Sequence, residues 1–237
     1  MFGVDGGSTI SSGGIALYCN VNLFSSGENH TLGYSRASES ATTEMGWVAA
    51  VSDSDEQARH ADLMALPLIR STLRMTLHPL TMEHSGGMFG MWSDPDVCRY
   101  SGQAHDRFGD LIHLPARTPT DSDKIIEFFL RRSDEEMGFR WAMLEKRTGK
   151  FLGAIGYNHL SPKAEIAYHL SPAAWGNGYA HEALEEALRW AAEVKIRHVE
   201  AWIEPSNRRS IALITKANFS PTGAVSEDAC EFVRLLG

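Results

Sequence analysis

The sequence predicts an α+β fold, a mixed and mostly antiparallel sheet flanked by helices. Three observations carry this expectation. Strand-like and helix-like apolar patterns follow one another irregularly, not as strict strand–helix repeats. Three strand patterns run in succession between Phe139 and Leu170, joined by short turns and therefore antiparallel. The third passes through Trp175-Gly-Asn-Gly178 directly into an amphipathic helix.

Residues 1 to 65 stand apart. They are rich in Gly and Ser, contain no Pro or Lys, and show no sustained period. They read as a flexible N-terminal extension, with a small strand-bearing element around Gly14 to Phe24 as the competing reading. The domain proper is expected over 66–237. Ile69 to Leu80 carries Leu73, Met75 and Leu77 in alternation, a strand signal. Thr81 can cap a helix whose early turns are weakened by Gly86 and Gly87. In Trp92-Ser-Asp-Pro-Asp96, Pro95 closes one element and Asp94 or Asp96 caps the next. Residues 101 to 120 read as a long loop, a frequent place for function. Asp121-Ser-Asp123 opens a helix with Ile125, Ile126, Phe129 and Leu130 as its buried stripe. Strands follow at Phe139–Leu144, Phe151–Tyr157 and Lys163–Leu170, with Gly149 in the first turn. After the helix ending near Val194 come a strand over His198–Ile203, a helix from Pro205-Ser-Asn207 to about Ala217, and strands over Phe219–Val225 and Glu231–Leu236.

Composition narrows the function classes. The 237 residues are 43% hydrophobic and 22% charged, as in ordinary soluble proteins, with a net charge of −8. No Lys/Arg run appears, so a nucleic-acid partner is not expected. No apolar run reaches the length of a membrane helix, so no membrane partner is expected either. Cys19, Cys98 and Cys230 are odd in number and widely spaced. They read as reduced thiols of a cytoplasmic protein, with no disulfide framework and no metal site. No Lys or Arg precedes Arg36, so the basic start of a signal peptide is missing.

The turn after Leu170 is the feature with chemistry. Gly176 and Gly178 bracket Asn177 at a helix entrance, where backbone can approach a ligand closely. The first helical turn offers free N–H groups and the positive end of the helix dipole. No acidic side chain lies between Leu170 and Ala180. The combination is an anion site suited to a phosphate-bearing cofactor. A dinucleotide unit fits poorly, because the glycines read Gly-x-Gly-x-Ala and the preceding strand belongs to an antiparallel run.

From about Leu66 to Leu236 the chain resembles the GNAT acyltransferases, in particular the RimJ/RimL-type N-acetyltransferases. The matching pieces are Trp92-Ser-Asp-Pro-Asp-Val97 with Arg99-Tyr100, Lys146 to Gly156, Ala164-Glu-Ile-Ala-Tyr168, Pro172 to Leu184, and Asn207-Arg-Arg-Ser210 with Lys216-Ala-Asn-Phe219. The resemblance implies the GNAT fold and acetyl-CoA as cosubstrate, with no metal. It implies that Trp175 belongs to the cofactor site, that the amides from Gly176, Asn177, Gly178, Tyr179 and Ala180 hold the pyrophosphate, and that Tyr168, His169 and Leu170 pair with the pantetheine arm. That family carries Arg or Gln where Trp175 stands here, which leaves the cradle to the backbone alone.

Transfer from a thioester to an amine requires deprotonation of the amine, stabilisation of the oxyanion and protonation of the departing thiolate. Glu165 is the candidate base, directly or through water; the plainer reading is a strand-face carboxylate paired with a nearby Lys. Ser210 is the candidate acid and Asn207 a cofactor contact, as the resemblance implies; the plainer readings are an exposed hydroxyl and an N-cap. His169 and His181 lack metal-ligand spacing and read as structural. Trp92, Tyr100 and Trp141 are candidates for an acceptor pocket or for the core. The expected acceptor is a primary amine, of a protein N-terminus or a small molecule, reached by direct transfer, and a homodimer is left open. The alternative from another class is a non-catalytic acyl-CoA-binding regulatory module on the same fold.

Overall fold

The structure is a computed structural model and describes residues 68–160 and 163–237; the extension over 1–65 lies outside the described residues. The strands are β1 (Arg70–Ser71), β2 (Met75–Pro79), β3 (Ala104–His105), β4 (Leu111–Ile112), β5 (Phe139–Glu145), β6 (Phe151–His159), β7 (Ala164–Leu170), β8 (His198–Ile203), β9 (Ser220–Ser226) and β10 (Ala229–Leu235). The helices are α1 (Ser85–Trp92), α2 (Pro95–Cys98), α3 (Pro119–Asp134), α4 (Tyr179–Glu193) and α5 (Arg208–Lys216). Eight strands form one sheet in the order β1-β2-β5-β6-β7-β8-β10-β9. Its neighbours are antiparallel except β7 and β8, which run parallel. The α+β expectation holds.

The sheet separates two helical layers. On one side α4 packs through Trp190, whose ring lies 5.5 Å from Trp141 and 4.8 Å from Phe139. The Tyr157 hydroxyl on that face donates to the Ala187 carbonyl at 2.8 Å. On the other side, Trp92 of α1 packs 4.5 Å from the His169 ring on β7. Trp141 is thus a core residue, and of the three aromatic candidates only Tyr100 lines the cleft described below.

Four sequence readings change. The expected strand over Ile69–Leu80 is two strands, because the chain turns at Thr72–Arg74 and leaves Leu73 86% exposed. Alternation there reflects β2 alone, where Met75 and Leu77 are fully buried. The glycines of α1 do not prevent the helix. A Cβ on Gly87 would sit 2.4 Å from the Phe151 ring, so the missing side chain is what lets α1 lie against β6. The loop over 101–120 holds a small hairpin, β3–β4, stapled by Asp106, which accepts from the Phe108 and Asp110 amides and from Lys124. Helix α3 also starts two residues earlier than expected, because the Thr118 and Asp121 side chains form a reciprocal capping box with Pro119 at the first position. No helix among the described residues is long and apolar enough to cross a membrane.

Candidate active site

The parallel pair β7/β8 is joined only at its start, Ala164 with Val199 and Glu165 with Glu200. No bridge is formed from Ile166 onward, so the C-terminal halves of the two strands stand apart. Buried strand backbone left unpaired must find other partners, and an extended, amide-rich ligand is a fitting one. A cleft of about 700 Å³ opens at this end, between the end of β7, the start of α4, and α5, with Asp96, Val97 and Tyr100 closing one side.

The turn into α4 has the geometry expected of an anion cradle. Gly176 has φ 74° and Gly178 φ 79°, both left-handed, where a side chain is strained. A Cβ on Gly176, which lines the cleft, would meet no atom within 4 Å. Gly178 is the N-cap of α4, so the amides of the first turn lack helical partners.

Of the sequence-predicted residues, Tyr168, His169, Leu170, Trp175, Gly176 and Gly178 line the cleft, as do Ala180, Asn207 and Ser210. Asn207 Oδ1 accepts from the Ser210 amide at 3.2 Å and caps α5, which leaves its NH₂ to donate elsewhere. The Tyr168 hydroxyl is buried beside Ser210, and burial pushes it above its ordinary range. His169 is held neutral: burial, then the Arg140 charge, pushes its ring down to about 3. Its Nε2 lies 3.2 Å from the Ser101 hydroxyl.

Three residues do not line this cleft with their side chains. Asn177 turns its amide onto the Trp175 and Ala173 carbonyls. Tyr179 donates to Glu145 at 2.8 Å. Glu165 is 2% exposed and outside the lining. It accepts from Asn158 at 2.7 Å and lies 3.2 Å from His159 Nε2. Burial pushes its carboxyl above the usual range, against the pull of His159, Asn158 and Arg140. His169 lies four residues on, about 13 Å along the strand, so Glu165 reaches this end of β7 only through intervening groups or water.

Two cations at the turn were not legible in the sequence. Arg74 Nη1 donates to the Asn177 carbonyl at 2.8 Å, its Nε to Glu182 at 2.7 Å, and its guanidinium lies 4.4 Å from the Tyr179 ring centroid. Arg209 of α5 stands 5.1 Å from the Trp175 ring centroid and lines the cleft. Neither is near the turn in sequence, so no local pattern signals them. Among the described residues, no group of three or more His, Cys, Asp or Glu is arranged to hold a metal ion.

Comparison with known proteins decides the family. Residues 74–220 match the family described as the acetyltransferase (GNAT) domain, well over half of the chain. The chain belongs to the GNAT acetyltransferases. The uncharacterized N-acetyltransferase p20 of Bacillus licheniformis is 26% identical over 160 residues, covering 66% of this chain and 84% of that protein. The structure of a ribosomal-protein-S5-alanine acetyltransferase from Vibrio fischeri superposes with a TM-score of 0.57 at 12% identity, covering 71% of this chain and 97% of that one. A spermidine N-acetyltransferase from Vibrio cholerae, solved with CoA and spermine, gives a TM-score of 0.56 at 14% identity, covering 68% and 95%. At these identities the two structures establish the shared GNAT fold. The splayed β7/β8 pair, the glycine turn and the α4 start are therefore parts of a GNAT acyltransferase domain.

Proposed function

We propose that the protein is an acetyl-CoA-dependent N-acetyltransferase acting on a primary amine. The observation that carries the reading is the cleft at the parting of β7 and β8, with the Gly176–Gly178 cradle at one end and Asn207 and Ser210 beside it. The residues fit acetyl-CoA. Amides at the start of α4 suit its pyrophosphate, the edge of β7 that leaves β8 after Glu165 suits the pantetheine amides, and Ser210 of the cleft lining is assigned as proton donor to the departing sulfur. When bound, acetyl-CoA supplies the activated acetyl group.

Glu165 serves as base through water, its raised pKa matching it to a protonated amine. Transfer is direct. Of the described cysteines, neither Cys98 nor Cys230 lines the cleft, and burial with the Asp94 charge pushes the Cys98 thiol up to about 11, which makes it a poor nucleophile. The acceptor is the amine of a small molecule or of a protein N-terminus, and Asp96 and Tyr100, which line one side of the cleft, are the residues assigned to meet it. The test is thiol release from acetyl-CoA with a panel of polyamines, amino acids and peptides. Amine-dependent release supports the reading. Tight acetyl-CoA binding without turnover on any amine supports a regulatory acyl-CoA-binding module instead.

A further inference from the structure

We infer that Arg209 supplies, from a different helix, the phosphate-binding cation that the α4 turn lacks, and that Trp175 is the platform that holds it there. The inference rests on the acyl-CoA reading and names a specificity-determining residue within it.

Trp175 is fixed from below, since its indole N–H donates to the Leu170 carbonyl at 2.9 Å. Its ring is therefore oriented by the last residue of β7, immediately before Gly176 of the cradle. The Arg209 guanidinium sits 5.1 Å from the centre of this ring. A guanidinium drawn to a ring by its charge still carries N–H donors that match the oxygens of a phosphate. Arg209 makes no ion pair among the described residues, so its charge is uncommitted. Arg74 differs: Glu182 neutralises it and Asn177 accepts from it, so it stiffens the turn from outside. Arg209 also borders the cleft together with Gly176 and Gly178, which puts an uncommitted cation on the same cleft as the α4 turn. An anion in the cradle would thus be held between helix amides and a guanidinium. Because Trp175, the ring under Arg209, directly precedes Gly176 in the chain, the assignment for Arg209 is the diphosphate linkage of CoA and not its ribose 3′-phosphate.

The experiment is calorimetric titration of the full chain, wild type against Arg209→Ala and Arg209→Lys, with CoA and with dephospho-CoA, which keeps the diphosphate and lacks the 3′-phosphate. Arg209→Ala should weaken both ligands by about tenfold, flatten the salt dependence of binding, and leave the melting temperature unchanged because the side chain is exposed. Arg209→Lys, with its charge but no flat face, should recover part of the loss. Unchanged affinity in Arg209→Ala overturns the proposal. A loss confined to CoA overturns it in favour of a 3′-phosphate contact, and a lowered melting temperature accompanying the loss overturns it in favour of a structural role. A wild-type chain that binds neither ligand overturns the acyl-CoA reading itself.

Discussion

Gly176→Ala and Gly149→Ala together separate the cost of backbone strain from the loss of a binding surface. The two glycines have nearly the same backbone, φ 74° and φ 71°, and at neither would an added Cβ meet an atom within 4 Å. An L side chain in the left-handed region costs about 1 kcal/mol at either site. For a domain of this size that lowers the melting temperature by about 2–4 °C, equally for both variants. Their ligand affinities should differ. Gly176 lines the cleft in the turn that leads into α4, while Gly149 lies in the β5–β6 turn outside the cleft lining. Losing one charge-assisted N–H to phosphate bond weakens binding by roughly 10- to 100-fold. Calorimetric titration with acetyl-CoA measures this directly. Equal affinity of the two variants, with equal melting temperatures, would show that the cradle does not hold the cofactor.

Three further outcomes are expected. Glu165→Gln should lower kcat/KM by about 100-fold and remove its acid limb, which in the wild type lies above the usual carboxylate range because burial raises this carboxyl; an unchanged pH–rate profile removes Glu165 as base. Ser210→Ala should reduce kcat by about tenfold or more with little change in the dissociation constant for acetyl-CoA; a loss confined to binding contradicts its role as acid. Burial alone would raise the Glu182 carboxyl, but hydrogen bonds from Thr72 and Arg74 outweigh it and hold the group below its ordinary range. A depressed carboxyl stabilises the fold above its unfolded pKa and loses that contribution as pH falls through the folded pKa. Glu182→Gln should therefore cost about 2 kcal/mol near neutral pH, and the gap in melting temperature to wild type should close in acid; a pH-independent gap contradicts the sign.

Much of this was readable from residue order. The turn from Trp175 to Ala180 is local, its glycines sit where the backbone must be left-handed, and the alternation of Ile166, Tyr168 and Leu170 fixed the face of β7. What the sequence hid depends on contacts between distant segments. Leu73 fits a strand alternation but lies in a turn, which Arg74 and Thr72 pin by bonding Glu182 across more than a hundred residues. Gly87 looks like a helix breaker until the Phe151 ring is seen against it. Glu165 reads as a strand-face acid with a Lys as its plainer partner, yet Asn158, His159 and Glu200 come from the flanking strands and enclose it. The missing cation at Trp175 could not be found from the turn, because Arg209 reaches it from α5.

The central claim is acetyl transfer to an amine, and an isotope-labelled product tests it most directly. Acetyl-CoA carrying a heavy acetyl group is incubated with the full chain and an unbiased mixture of amines and peptides, and products are read by mass spectrometry. The expected result is the label in an amide bond to a primary amine, formed at a rate that Gly176→Ala suppresses. Stoichiometric binding of acetyl-CoA with no labelled amide on any acceptor would contradict the claim.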